Sequence, residues 1–371
     1  MKTMSVVQNL SDAWLEAVRS RRIVNVFETN DDQKAKVEFG LVEVGGKFDY
    51  YAKNLTTGEA LIRKVEDRAI EGTDFRIQYN GYRALRPRPK ALNPGRQPDV
   101  SGDVMQCKFY CQDPKQNLSM LRRDALAQVT LKNWRWNAYY NATPFEKEGH
   151  LLWLPASVDG TSTVLPHLSQ ELTLPILEDM LSLFLNSDSM LLFFNSLHAG
   201  ATVNHMHWQA VFHERELAIE TAQTRKAGDG NGDWQVLDNY PANGLVFDRG
   251  VDPGKLFAAV KALQDKKVPY NLILVGKRIC LMPRNKNHEV IPEFPGGAVA
   301  SMELAGKIII VDEAAFKAMD SVRLRNVLQK VTRSSWPSAG AVPIKEIRRR
   351  PDAPGRAPER TDGADQQVPP K

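Results

Sequence analysis

The sequence predicts an α+β protein made of two halves packed in one chain. Three observations predict it. Apolar runs with the look of strands alternate with runs of helical period. The same order of strand, helix and further strands occurs twice, once from His150 to Phe212 and again from Gly244 onward. The chain has 371 residues, enough for two ordinary domains or one large one. Hydrophobic content of 42% and charged content of 25% fit a globular protein in water.

Each element has its own signal. "MKTMSVVQNLSDAWLEAV" lacks a continuous apolar stretch behind its lysine. Val7, Leu10, Trp14, Leu15 and Val18 instead recur at helical spacing, so it predicts an amphipathic helix, not a signal peptide. "HLLWLP" (His150–Pro155) predicts a short strand. "TLPILEDMLSLFLNS" predicts a helix, with Ile176, Leu177, Met180, Leu181 and Phe184 on one face, Pro175 in the first turn and Thr173 as cap. "MLLFFN" (Met190–Asn195) predicts a buried strand, "SLHAGAT" a loop of small residues, and "VNHMHWQAVF" a second strand. In the second half, "GLVFDRG" predicts a strand, and the run from Pro253 a helix with Leu256, Phe257, Val260 and Leu263 inward. "YNLILVGKRICLMPR" predicts a hairpin turning near Gly276 and Lys277, and "KIIIVDEAAFKAM" a strand leading into a helix. From about Ala341 the chain is rich in Pro, Arg, Asp and Gln, which predicts a disordered tail over 341–371.

Composition narrows the function. No run approaches 18 apolar residues, so no membrane helix is expected. Three cysteines make a disulfide framework improbable and a reducing cytoplasm the expected location. The net charge of +5 is modest, and the basic residues form no block interleaved with aromatics, so no nucleic-acid partner is expected. The densest basic cluster is "YRALRPRPK", with Arg83, Arg86, Arg88 and Lys90. It is either a solvated loop or a phosphate clamp.

The chemistry concentrates in "NHMHWQ". Alternation in a strand would put His205, His207 and Gln209 on one face, with Met206, Trp208, Ala210 and Phe212 in an apolar layer behind. Three readings compete for the row: hydrogen-bonded core histidines, a metal site, and a nucleophile with its orienting partners. The loop before it discriminates. Asn195, Ser196, Gly200 and Thr202 supply small residues and donors suited to a phosphate. A donor-rich turn beside a His-His-Gln row makes a phosphate site with an in-line nucleophile. The second half holds one histidine, His288, so the chemistry is expected in the first half alone.

"NSLHAGATVNHMHWQ" resembles the active-site signature of the histidine-triad superfamily, in the branch carrying H-x-H-x-Q. That branch includes the galactose-1-phosphate uridylyltransferases, the diadenosine tetraphosphate phosphorylases and the GDP-hexose phosphorylases. "FRIQYNGYRALRPRP", "NATPFEKEGHLLWLP", "YPANGLVFDRG" and "VPYNLILVGKRICLMPR" resemble segments of the last group in the same order, as does the "ELAGKIIIVDEAAF" region. The resemblance covers roughly residues 70–330. It implies a tandem of two histidine-triad-like α+β halves: a catalytic one with an N-terminal extension over 1–240 and a silent one over 241–335. It also implies a ping-pong reaction. His207 attacks the phosphorus next to the nucleoside, hexose 1-phosphate leaves, and inorganic phosphate then releases a nucleoside diphosphate.

A glutamine in third place agrees with that chemistry. A phosphate leaving group and a phosphate acceptor both act as anions and need no general acid or base. Gln209 can hydrogen-bond the phosphoryl oxygens or the imidazole through both ends of its amide. His207 must present one bare ring nitrogen, its other nitrogen held by an acceptor such as a backbone carbonyl. His205 is expected to orient the turn or bind phosphate. Arg83, Arg278 and Arg284 are candidates to balance the diphosphate charge, or else surface ion pairs. By analogy with the uridylyltransferases, Cys107, Cys111, His150 and His205 could hold zinc, but the spacing in "CKFYC" departs from theirs, so no metal and no cofactor is expected. His198 stands where the GDP-hexose phosphorylases have a small residue. The expected partners are a nucleotide sugar, GDP-hexose first, and inorganic phosphate, on a monomer or homodimer. Alternatives within the same chemistry are a dinucleoside polyphosphate phosphorylase and a hexose-1-phosphate nucleotidylyltransferase. Outside it stand a hydrolase and a nucleotide-binding regulator without turnover.

Overall fold

The computed structural model describes residues 6–29, 35–86, 109, 125–141, 143–156, 167–187, 190–213, 215–226, 234–295 and 297–334. Arg88, Lys90, Cys107, Cys111 and the tail over 341–371 lie outside the described residues. Among the described residues no helix is long and apolar enough to cross a membrane.

The chain opens with the helix Val6–Arg19, whose Leu10, Trp14 and Val18 are buried. It lies against an antiparallel meander of β1 (Val24–Glu28), β2 (Lys36–Val44) and β3 (Lys47–Asn54). Next come β4 (Val65–Ala69) and β5 (Arg76–Asn80), followed by a single helical turn, Gly81–Ala84. The Asn80 side chain caps that turn by accepting from the Arg83 N–H at 3.1 Å, which fixes where Arg83 begins.

The centre is one ten-stranded sheet. Its strands are β6 (Ala127–Thr130), β7 (Arg135–Tyr140), β8 (His150–Ala156), β9 (Met190–Asn195), β10 (Trp208–Phe212), β11 (Thr224–Lys226), β12 (Trp234–Leu237), β13 (Leu245–Asp248), β14 (Tyr270–Val275) and β15 (Arg278–Pro283). The order is β11-β12-β13-β15-β14-β9-β10-β8-β7-β6. Read outward from the centre, each five-strand run has the same order. The helix Leu174–Leu185 joins β8 to β9 in one run, and the helix Pro253–Asp265 joins β13 to β14 in the other. The runs meet where β9 and β14 pair antiparallel, Asn195 opposite Asn271 and Leu192 opposite Leu274. The sheet thus runs unbroken past residue 240, and β11 and β12 sit with the second run.

Two cores cover the two faces. Leu192 and Phe194 enter one with both long helices; Leu191 and Phe193 enter the other. Burial on both faces explains why "MLLFFN" is apolar without alternation. The second core lies beneath the helix Ser301–Ala305 and β16 (Lys307–Ile310). β16 pairs in parallel with β5, so the end of the chain is stitched to its beginning.

Two local expectations are corrected. Thr173 sits at the helix N-cap in extended conformation, but its side chain makes no capping bond. The strand expected over 203–212 begins only at Trp208. Upstream, residues 168–170 take the backbone bonds instead. Met206 N–H donates to Leu168 O at 2.6 Å, and His207 N–H donates to the Gln170 side chain at 2.9 Å.

Candidate active site

β8, β9 and β10 present one face to a cavity of about 450 Å³, roofed by residues of the second half. His207, Gln209, Asn195, Gly200, Thr202 and Arg83 all line it. His205, Ser196, Arg278 and Arg284 do not.

His207 is held on both sides. Its ring Nδ1 lies 2.8 Å from the His205 carbonyl oxygen, which takes the Nδ1–H and leaves Nε2 as the bare nitrogen. Burial lowers the His207 pKa from the ordinary histidine value, with the bond to His205 opposing it. The ring is therefore neutral near pH 7. Gln170 locks the main chain beneath it. Its amide oxygen accepts from His207 N–H at 2.9 Å, while its nitrogen donates to the carbonyls of Asn195 at 2.9 Å and His207 at 3.0 Å. One side chain thus ties the end of β9 to the candidate nucleophile. Sequence reasoning missed Gln170; a lone glutamine in "PHLSQE" carries no periodic signal.

Gln209 stands beside His207 and touches His150. Their side chains meet at 2.9 Å, His150 Nε2 to Gln209 Oε1. Burial pushes the His150 pKa down to about 3, although the Gln209 bond opposes this. His150 belongs to the cavity wall, a position the sequence suggested only as structural or metal-binding.

His205 supplies its carbonyl, not its ring. The ring is fully buried and lies T-shaped to Phe109 at 5.4 Å and to His167 at 5.3 Å between centroids. Alternation correctly places Met206, Trp208 and Ala210 in the apolar core behind. Of the zinc set considered from sequence, His205 neighbours His167, and His150 is engaged with Gln209. The two cysteines of that set are outside the described residues.

The loop after β9 also departs from expectation. Its backbone donors were expected to approach an anion. Ala199 and Ala201 N–H instead donate to Ser196 O, and Gly200 N–H donates to the Glu289 carboxylate at 3.0 Å. Ser196 Oγ accepts from Tyr270 N–H at 2.8 Å, which pins the loop to β14. Gly200 is required for another reason. Its φ is +103°, and a Cβ there would lie 2.6 Å from the Cβ of Ala300. His198, also in this loop, adopts φ +63° and faces Glu289 at 3.8 Å.

The arginines separate by burial partner. Arg83 lies over the Phe145 ring and donates to Thr143 O. Burial and the like charge of Arg86 lower its pKa to about 9. Arg86 lines the same cavity and is lowered by burial too. Among the described residues the one carboxylate in the cavity wall is Glu303. Two half-buried guanidiniums against one buried acid leave a surplus of positive charge among the described residues, which an anion would relieve. Arg278 and Arg284 correct the sequence expectation, because their guanidiniums serve backbone and side-chain acceptors elsewhere. Arg278 donates to Ile219 O and Ala222 O, and Arg284 to Val331 O and Asn271 Oδ1.

The architecture is similar to that of yeast Ap4A phosphorylase Apa2. The crystal structure of yeast Ap4A phosphorylase Apa2 in complex with Ap4A matches with a TM-score of 0.52 at 15% identity, covering 90% of this chain and 98% of that one. Another crystal structure of yeast Ap4A phosphorylase Apa2 matches with a TM-score of 0.52 at 13% identity, covering 90% of this chain and 96% of that one. At the sequence level residues 218–335 match the family model of the GDPGP1-like C-terminal domain, and part of the chain is similar to GDP-L-galactose phosphorylases. GDP-L-galactose phosphorylase 2 of Arabidopsis thaliana is 32% identical over 152 residues, 39% of this chain and 34% of that protein. GDP-L-galactose phosphorylase 1 of the same plant is 28% identical over 185 residues, 46% of this chain and 40% of that protein. The matched stretch therefore spans well under half of either relative.

Proposed function

We propose that the chain is a nucleotide-sugar phosphorylase, with a GDP-hexose as its first substrate and inorganic phosphate as acceptor. The observation that carries this reading is the state of His207: neutral, its Nδ1–H held by the His205 carbonyl, and lining one cavity with Gln209, Arg83 and Arg86. In the proposed reaction Nε2 forms a bond to the phosphorus next to the nucleoside. The bond from that phosphorus to the hexose 1-phosphate oxygen breaks, and hexose 1-phosphate leaves as an anion. Inorganic phosphate then attacks the nucleotidyl-histidine, frees His207 and releases a nucleoside diphosphate. Arg83 and Arg86 offset the diphosphate charge. The Gln209 amide donates to the phosphoryl group, and no proton has to be moved at either step.

The tandem reading belongs with this proposal. The two five-strand runs are two histidine-triad-like halves, the first carrying the nucleophile and the second silent and serving as the roof. The order of strands in the two runs supports it. A second reading, a dinucleoside polyphosphate phosphorylase, is favoured by the fold shared with the yeast enzyme. It uses the same nucleophile and differs in the leaving group.

One experiment separates these readings. GDP-, ADP- and UDP-sugars and Ap4A labelled at the phosphate next to the nucleoside are incubated with the protein, with and without inorganic phosphate. The expectation is a labelled protein without phosphate, and labelled GDP with it. His207→Asn is expected to lower labelling by several orders of magnitude. Undiminished labelling of that variant would remove His207 as the nucleophile. Hydrolysis with no phosphate dependence would replace the phosphorylase reading with a hydrolase.

A further inference from the structure

Three fully buried side chains of the second half converge on Asn195: Arg284, Asn271 and Ser301. Arg284 Nη1 donates to Asn271 Oδ1 at 2.6 Å, and its Nε to Val331 O at 3.0 Å. Asn271 Nδ2 donates to Asn195 Oδ1 at 2.7 Å and to Ala199 O at 2.8 Å. Ser301 donates to the same Asn195 oxygen, from Oγ at 2.6 Å and from its backbone N–H at 3.3 Å. We propose that Arg284 is a positioning residue. Through Asn271 it fixes the amide of Asn195 so that its NH₂ group, and not its oxygen, faces a phosphate in the cavity.

The polarity follows from donor counting. A guanidinium carries donors and no acceptor, so Asn271 must turn its oxygen toward Arg284. The Asn271 NH₂ then points the other way, and its two hydrogens go to Asn195 Oδ1 and Ala199 O. Asn195 must meet it with oxygen, and the two Ser301 donors demand the same orientation. The Asn195 NH₂ is left on the side of the cavity that Asn195 lines. The donor-only end of the chain thus sets the direction of every bond in it. This also gives a reason for a fully buried arginine that makes no ion pair among the described residues, a costly arrangement otherwise. The half without the nucleophile would by this route orient a donor beside it. The inference rests on the phosphate-site reading of the cavity but not on the identity of the nucleotide sugar.

Asn271→Asp tests it. The carboxylate fills the same space and pairs with Arg284, so the fold is expected to survive. It cannot donate to Asn195 or to Ala199, and its carboxylate repels both of their oxygens, so it works against the two Ser301 donors and draws the Asn195 NH₂ away from the cavity. Turnover of GDP-hexose with phosphate is expected to fall at least 100-fold, chiefly in kcat, in a protein that still unfolds cooperatively at a lower Tm. Inorganic phosphate, titrated alone by calorimetry, is expected to bind at least tenfold more weakly. Asn195→Asp should cost as much, and the double variant no more than either, because both remove one donor. Arg284→Lys, still donor-only, should retain turnover within about tenfold of wild type. A folded Asn271→Asp protein that binds phosphate and turns over within threefold of wild type overturns the proposal. If no nucleotide sugar is turned over by the wild type, the phosphorylase reading fails and phosphate binding alone decides the relay. Wild-type protein in which saturating phosphate leaves the Asn195 side-chain NH₂ resonances unmoved in a ¹⁵N spectrum also overturns it, and that measurement needs no variant to fold.

Discussion

At the residue scale, the site works by fixing which atom of each polar group faces the cavity. Gln209 shows the consequence most directly. Its oxygen is next to His150 Nε2, and a neutral His150 that donates from that nitrogen leaves the Gln209 NH₂ for the cavity that Gln209 lines, where the proposed reaction places the phosphoryl group. Asn141 Nδ2 lies 3.1 Å from the same nitrogen, and Asn141 lines the cavity. Gln209→Glu keeps the bond from His150 but sets a negative charge against the phosphate. Initial rates should fall at least 100-fold, about 3 kcal/mol of transition-state stabilisation, while thermal unfolding stays near wild type. A loss of less than tenfold would remove Gln209 from direct phosphoryl contact. His207 predicts the pH behaviour. In the proposed reaction the neutral ring is the nucleophile, and burial holds its pKa below the ordinary value of about 6.5. It stays neutral as pH falls through 6.5 and is lost only below its own lowered value. The acid limb of the nucleotidyl-labelling rate should therefore be centred below 6.5; one centred at 6.5 or above would contradict the burial argument.

At the element scale, the segments that aim the site were unequally legible. The β14–β15 hairpin could be read to the residue, because Gly276 takes φ +54° at the turn and the flanking runs are apolar on both sides. The Pro253 helix could be read from its spacing; its cap is Asp252, which accepts from Lys255 N–H at 3.0 Å. The start of β10 could not. Alternation continues through His205, but the hydrogen bonds there go to residues 168–170, which are remote in sequence until the chain folds. The arginines were opaque for a similar reason. Nothing local distinguishes Arg83, which faces the cavity, from Arg284, which serves a buried amide; only tertiary partners do. The helix Leu174–Leu185 hides another such partner. Asp179 is fully buried and accepts from Asn133 N–H at 3.0 Å, Trp134 N–H at 2.8 Å and Trp136 Nε1 at 3.0 Å. It joins the helix to the start of β7. Asp179→Ala should strand those donors and cost about 3 kcal/mol or more in urea unfolding. A cost under 1 kcal/mol would mean that water replaces the carboxylate.

At the scale of the whole molecule, the division into halves does not make two independent bodies. The central pair of the sheet is β9 with β14, one strand from each run, and both cores draw residues from both runs. A chain ending at Leu217 would keep His207, Gln209 and the arginines of the cavity. It would lose the neighbour of β9, leaving an unpaired edge of six residues in the middle of what had been a core. It would also lose β16, the parallel partner of β5, and the Ser301–Ala305 helix over the second core. Leu191, Phe193 and Ile77, all buried, would face water. Each such side chain is worth roughly 1.5–3 kcal/mol when buried, against a total stability of about 5–15 kcal/mol for a folded protein. Residues 1–217 alone should therefore aggregate or lack a cooperative unfolding transition. Co-expressed with 218–371 as a separate chain, they should form a soluble complex, because the β9–β14 pairing needs no covalent link at that point. Nucleotidyl labelling at His207 should return with the complex and be absent from either piece. A monomeric 1–217 fragment that unfolds cooperatively would show that the first half has a core of its own, and that the shared sheet is a contact between domains.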